Sequence, residues 1–237
     1  MMNKTLIVSN DIYKESEETL LNLGYTLLKI MRNDWMEQAV SSHPDMYMTD
    51  INSRILYDSN IAHLFDGVVP SKKLIKCNRG VDKLKCIEHP YNIGFNCVNI
   101  GNKLICNRKH TCQDVLEIAE SMNCEIINVN QGYAKCSTCV IDDNAIITED
   151  ISIAKCAGQK GIDVLLIEKG FVRLTGYNYG FIGGSCGMIN DNTLAFNGNI
   201  KFHPNCKSIE EFCSNHSVII LNLCDRELYD IGSIFII

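Results

Sequence analysis

The sequence predicts an α/β protein: one domain of 237 residues built from about five copies of a strand–strand–helix–strand unit. Three observations predict it. Isoleucine recurs at Ile51, Ile100, Ile141, Ile189 and Ile236, spaced 49, 41, 48 and 47 residues apart, a period that marks internal repetition. Each of the first four isoleucines closes an apolar run and is followed by a polar turn of Asn, Asp, Gly or Ser and a second apolar run, the pattern of a β-hairpin. After each hairpin comes a stretch of helical periodicity and then another short apolar run.

The elements follow in chain order. Residues 5–9 read as a strand, 13–23 as a helix stopped by Gly24, and 25–30 as a strand. The hairpin at 45–57 is followed by a short helix around 60–66, and residues 79–88 read as an inserted loop. The second hairpin, 94–106, leads into a helix with Thr111 as N-cap and Val115, Leu116, Ile118, Ala119 and Met122 at helical spacing, then a strand at 125–129. The third, 135–147, leads into a helix over 152–159 and a strand at 163–168. The fourth, 183–195, is followed by a capping-box pattern at Ser208 and Glu211 and a strand at 217–223. The chain ends on a first strand alone, and its start lacks one. Pairing the two termini completes the fifth unit and leaves no orphan strand edge. The units are expected at about 44–78, 89–130, 131–170, 177–224, and 225–237 together with 1–30.

Composition narrows the function classes. With 46% hydrophobic and 21% charged residues the chain has a core to bury and is not disordered. The net charge of −6 comes without a basic stripe, so no nucleic-acid partner is expected. No apolar run approaches the ~20 residues of a membrane span, and the run from Leu6 to Val8 is too short for a secretory signal. Thirteen cysteines, an odd number in a chain of this length, read as reduced, mostly structural thiols in a cytoplasmic protein. No cofactor is expected, and the oligomeric state is open.

A closed ring of five such units resembles the pentein fold of the guanidino-group-modifying enzymes, and the whole chain takes part. The segments Gln131-Gly-Tyr-Ala-Lys-Cys-Ser137, Gly180-Phe-Ile-Gly-Gly184 and Asp230-Ile-Gly-Ser233 also resemble an uncharacterised clostridial family of that fold. The resemblance implies a five-fold pseudosymmetric α/β propeller with a pocket at its centre, fed by the first strands. Alternation along a strand puts positions six and four before the isoleucine on one face. These are Asp45, Gly94, Lys135, Gly183 and Asp230, then Tyr47, Asn96, Ser137, Ser185 and Gly232, polar or small at every position. That face is expected to line the pocket. The face carrying Met46, Phe95, Cys136 and Ile231 is expected to point away unless a bulge swaps it.

Two carboxylates, Asp45 and Asp230, beside Lys135 suit a small guanidino or amino ligand, or else form an ion cluster that only holds the ring. Tyr47, Asn96, Ser137, Ser185 and Ser233 complete the expected ligand-binding set. The resemblance implies a nucleophilic Cys in the last unit and a His in the third. Here Ser233 and Lys135-Cys136-Ser137 stand in those places, so whether the protein is catalytic is open. Cys136, or Cys186, serves as nucleophile only if a neighbour such as Lys135 lowers its pKa, with His43 as a base at the pocket mouth and Asn92 beside it. The pair Cys136 and Cys139 points to opposite faces of a strand, which argues against a metal. The Gly183-Gly-Ser185-Cys-Gly187 segment matches a nucleophile elbow but lacks the following helix. His203 or His216 would have to serve Ser185. A module that binds without catalysis is the remaining reading.

Overall fold

The computed structural model describes residues 4–237, except the side chain of Lys83; residues 1–3 of the expected fifth unit lie outside it. In chain order the elements are β1 (Thr5–Ser9), α1 (Lys14–Asn22), β2 (Thr26–Ile30), β3 (Met48–Ile51), β4 (Arg54–Asp58), β5 (Lys73–Cys77), β6 (Val98–Ile100), β7 (Lys103–Cys106), α2 (Gln113–Ser121), β8 (Glu125–Asn128), β9 (Thr138–Asp142), β10 (Ala145–Thr148), α3 (Ile151–Gly158), β11 (Asp163–Leu166), β12 (Cys186–Asn190), β13 (Thr193–Phe196), α4 (Cys206–Asn215), β14 (Ile219–Asn222) and β15 (Phe235–Ile236).

They form a mixed α/β fold of five three-stranded sheets: β3-β4-β5, β6-β7-β8, β9-β10-β11, β12-β13-β14 and β15-β1-β2. In each, the first two strands are antiparallel and the third runs parallel to the second. The last sheet joins the chain ends, with Leu6 opposite Ile236 and Ile7 opposite Phe235. No sheet closes on itself; each is an open ribbon of three strands.

The apolar residues sit at the seams between units. One cluster joins Ile51 and Leu56 to Phe95 and Val115, and the next joins Ile100 and Ile105 to Ile146 and Ile153. A third joins Ile141 and Ile147 to Leu194 and Ile209, and a fourth joins Ile189 and Ala195 to Leu6 and Leu20. The fifth joins Ile7 and Phe235 to Met46 and Met48. First strands of successive units touch: β3 with β6, β6 with β9, β9 with β12, β12 with β15. Among the described residues no helix is long and apolar enough to cross a membrane.

Several expectations shift in detail. The fifth repeat is displaced by one residue. Ile51, Ile100, Ile141 and Ile189 each pack in the seam toward the following unit. In the last unit that place is taken by Ile237, buried in the seam with the first unit, while Ile236 packs against the seam behind it. A one-residue slip reverses the faces, so Ser233, not Gly232, is the counterpart of Asn96 and Ser137. Helix α2 has Cys112 at its N-cap, because the Thr111 hydroxyl donates instead to the Asn107 carbonyl at 2.9 Å. Helix α4 begins at Cys206, so Ser208 lies in its first turn and no capping box forms. Helix α3 is capped by Asp150, which accepts from Ile153 N at 2.8 Å. The region near 60–66 is a 3-10 helix over Ser59–Phe65. Within the inserted loop, Arg79 is buried, paired with Asp58 at 2.7 Å and donating to the Asn92 carbonyl at 3.0 Å, which ties the first unit to the second.

Candidate functional site

The first strands begin later than the alternation argument assumes. Pro44–Met46 and Gly183–Ser185 are 3-10 turns, and residues 133–137 form a turn. Residues six to four before the isoleucines therefore lie in turns, where two-fold alternation does not hold. This brings Cys136, from the face expected to point away, into the same cluster as Asp45.

All five units contribute to that cluster. Pro44 sets the turn that carries Asp45, and Asp45 N donates to the Gly232 carbonyl at 3.1 Å. Cys136 Sγ donates to Asp45 Oδ2 at 2.9 Å. Asn96 holds the cysteine in place. Its Oδ1 accepts from Lys135 N at 2.8 Å and Cys136 N at 3.3 Å, and its Nδ2 donates to Cys136 Sγ at 3.2 Å. Ser233 Oγ accepts from Lys135 Nζ at 2.9 Å, and its one proton is shared between the Gly183 carbonyl at 2.8 Å and Asp45 Oδ2 at 3.2 Å. Asp230 accepts from Phe181 N at 2.9 Å and Gly232 N at 3.0 Å, and His43 Nδ1 lies 3.6 Å from its Oδ1. Asp45, Asp230, His43 and Cys136 are all at most 2% exposed.

Glycine is required where these units meet. A Cβ on Gly184 would stand 2.0 Å from Asp230 Oδ1, and one on Gly232, whose φ is +69°, would stand 2.1 Å from His43 Cβ. Gly184 is also clasped by backbone. Its N donates to the Cys136 carbonyl at 2.9 Å, and its carbonyl accepts from Ile231 N at 3.0 Å and Ser233 N at 2.8 Å.

Two cavities flank the cluster. The larger, about 590 Å³, is lined by Thr49, Val98, Val140, Met188 and Phe235, one residue from each first strand, with Lys135 and Cys186 beside them. The smaller, about 230 Å³, has Cys136 and Asp230 among its lining, with walls of Tyr133, Tyr177, Tyr179 and Phe181. Leu174 and Val40 complete its apolar surface. Burial pushes the Cys136 thiol well above the usual range, and the charges of Asp45 and then Asp230 push it further, so the thiol is the neutral donor of its bond to Asp45. Burial also raises Asp230, against the opposing pull of His43. Burial raises Glu149 well above the carboxylate range, although both its oxygens lie 3.2 Å from Ile182 N.

The remaining expected residues stand elsewhere. Tyr47 is buried with its hydroxyl donating to the Ser41 carbonyl at 2.6 Å and accepting from Asn33 at 2.7 Å, in the apolar seam away from both cavities. Ser137 Oγ is buried with no hydrogen-bond partner. Ser185 Oγ donates to the Ile182 carbonyl at 2.8 Å. His203 bonds the Glu168 carbonyl and Asn205 N, each at 3.1 Å, and His216 bridges Asp142 and Asp163, so both are engaged away from Ser185. Asn92 is buried and donates to Glu37 at 3.3 Å and to the Tyr133 hydroxyl at 3.2 Å, and His43, expected at the pocket mouth, is buried and lines neither cavity. Sequence reasoning missed the aromatic wall. Its signal was the alternation Tyr177, Tyr179, Phe181 in a loop between units, where half-exposed aromatics have no core to serve.

This chain is similar in fold to enzymes that carry guanidino chemistry in their names. A Cys-to-Ser variant of DDAH from Pseudomonas aeruginosa, complexed with citrulline, superposes with a TM-score of 0.54 at 9% identity, over 94% of this chain and 93% of that one. The agmatine deiminase of C. jejuni gives 0.52 at 14% identity, over 93% and 87%. A His-to-Gly variant of dimethylarginine dimethylaminohydrolase, as its S-methyl-L-thiocitrulline adduct, gives 0.53 at 10% identity, over 94% and 93%. These likenesses show the pentein fold of the guanidino-modifying enzymes. No curated protein matches the chain. The model of a family of unknown function (DUF6873) matches residues 7–235, and the chain belongs to that family.

Proposed function

We propose that this protein binds a small cation bearing a guanidino or amino group in the 230 Å³ pocket, without the Cys/His catalytic pair that the fold resemblance implies. One observation carries the reading: the pocket joins four aromatic rings to a buried carboxylate, Asp230, and no basic side chain is among its lining residues. Aromatic faces attract cations, and a buried carboxylate favours a charge-bearing partner over water. Asp45 adds negative charge behind Cys136, while Lys135 is turned toward Ser233 and the larger cavity. Agmatine, in the name of one fold neighbour, is a molecule of this class. The five sheets stand, in this reading, as blades of a closed ring. The five seam clusters and the β1–β15 pairing support it, with the larger cavity as the axial channel. The cysteines, none joined in a disulfide among the described residues, fit a reducing, cytoplasmic setting.

A second reading, hydrolysis through Cys136, is favoured by the place of that thiol at the pocket. Its raised pKa weighs against it, because the thiolate is the nucleophile. Calorimetric titration with methylguanidine and with methylurea, alike in shape but not in charge, tests the proposal. Methylguanidine binds and methylurea does not. Tyr177→Ala, at a half-exposed position, weakens binding about 2- to 30-fold, the worth of one cation–π contact. Equal binding of the two probes, or of neither, refutes the reading.

A further inference from the structure

We propose a second function for the cluster: His43, Asp45 and Cys136 form a three-ligand site for a divalent transition metal, zinc by its donor set. One potential ligand atom from each of the three lies within 4.8 Å of the other two, and all three residues are buried. A tetrahedral zinc with bonds of about 2.0–2.3 Å spans ligand separations of this order after small side-chain movements. The donors, one imidazole nitrogen, one carboxylate oxygen and one thiolate sulfur, match a borderline-soft cation and not calcium or magnesium, which take oxygen.

Two further observations point to an occupant. Asp45 Oδ1 is buried and accepts no hydrogen bond. Buried polar atoms of this kind call for a partner. The outer shell of a metal site is also in place. Asp230 Oδ1 stands 3.6 Å from His43 Nδ1 and its carboxylate is held by two backbone N–H groups, so that with Nε2 on the metal a carboxylate faces the other ring nitrogen, the arrangement that orients a metal-bound imidazole. Asn96 orients Cys136 through its backbone N–H and its sulfur.

Binding breaks the Cys136 S–H bond and forms a sulfur–metal bond, and the proton leaves to solvent; no electron is transferred. The metal replaces the thiol proton as the partner of Asp45. Three protein ligands leave a fourth position for water or a ligand atom. Cys136 lines the aromatic pocket, so that position adjoins the 230 Å³ space. Asp230 faces both the imidazole and the aromatic pocket, so the metal proposal goes beyond the cation reading and is separated from it by testing cation binding on the metal-free protein.

The test uses the full-length protein, stripped with chelator and titrated with Co²⁺ and Zn²⁺ without any organic ligand. One equivalent of Co²⁺ gives a thiolate-to-cobalt charge-transfer band and tetrahedral ligand-field bands, and Zn²⁺ displaces both. Cys136→Ser abolishes the charge-transfer band, His43→Gln weakens the ligand field, and Asp230→Asn lowers affinity about 10- to 100-fold. A crystal grown with Zn²⁺ shows an anomalous peak about 2.3 Å from Cys136 Sγ, a readout that needs no variant to fold. A charge-transfer band that survives Cys136→Ser, a peak at other cysteines only, or no stoichiometric binding overturns the proposal. Methylguanidine binding to the stripped protein, measured separately, is unaffected by that failure.

Discussion

Gly184→Ala is the sharpest test of how the units interlock. The new methyl would stand 2.0 Å from Asp230 Oδ1, 2.4 Å from its Cγ and 2.7 Å from Oδ2. Carbon–oxygen contact requires more than 3 Å, so the carboxylate or the turn must move by an ångström or more. The turn has little room to move, because Gly184 is bonded to Cys136, Ile231 and Ser233 through its backbone. If the carboxylate moves, Asp230 loses its bond to Phe181 N, to Gly232 N, or to both. Overpacking costs about 1–3 kcal/mol, and a lost bond to a charged group costs about 1.5–3 kcal/mol. The variant should lose about 2.5–6 kcal/mol, lowering Tm by about 5–24 °C for a chain of this length. Urea unfolding followed by circular dichroism measures it. Gly158→Ala is the control: it closes α3, where a Cβ meets nothing within 4 Å, and it should stabilise by about 0.5–1 kcal/mol. If Gly184→Ala falls within 1 kcal/mol of the parent protein, the close-approach argument is wrong.

Three further outcomes follow from the buried titratable groups. Burial pushes the Cys213 thiol up to about 12, so its contribution to stability is full below the unfolded thiol pKa of about 8.5 and is lost as pH rises toward 12. Cys213→Ala should therefore be most costly near pH 7, and the gap to the parent should narrow by up to about 1.4 kcal/mol per pH unit above that window's lower edge. Glu149 is raised by burial, so its contribution is full below the unfolded carboxyl pKa of about 4.3 and fades as pH rises. Glu149→Gln, which cannot ionise, should gain on the parent in Tm between pH 4.5 and pH 8; a constant difference would refute the assignment. Cys136 should alkylate slowly at pH 7 in the metal-free protein, and Asp45→Asn should speed it by removing the nearest charge that raises the thiol. Mass-spectrometric labelling rates decide this, and fast labelling of the parent protein would restore the nucleophile reading.

The sequence by itself determined the unit, its number and the joining of the chain ends. Hairpins and helices are local, and their periodicities are written in consecutive residues such as those around Ile100 and Ile141. It also singled out Asp45, Lys135 and Asn96, because equivalent positions in a repeat have related surroundings, and it reached Asp230 by a count that the slip to Ile237 displaces. It could not decide which way side chains point where strands give way to turns. Cys136 enters the cluster because a turn over 133–137 breaks the alternation, and Tyr47 leaves it because its hydroxyl finds Ser41 and Asn33. The one-residue slip at Ile237 has the same origin: the last strand has no turn of its own to set its register, so pairing with β1 and packing against the first unit set it instead. The meeting of the Tyr177, Tyr179 and Phe181 wall with Tyr133 and Asp230, the fit of Gly184 on Asp230 and the meeting of His43, Asp45 and Cys136 join residues from different units. Only the packing of the five units decided those contacts, because no short-range pattern encodes the distance between residues in separate units.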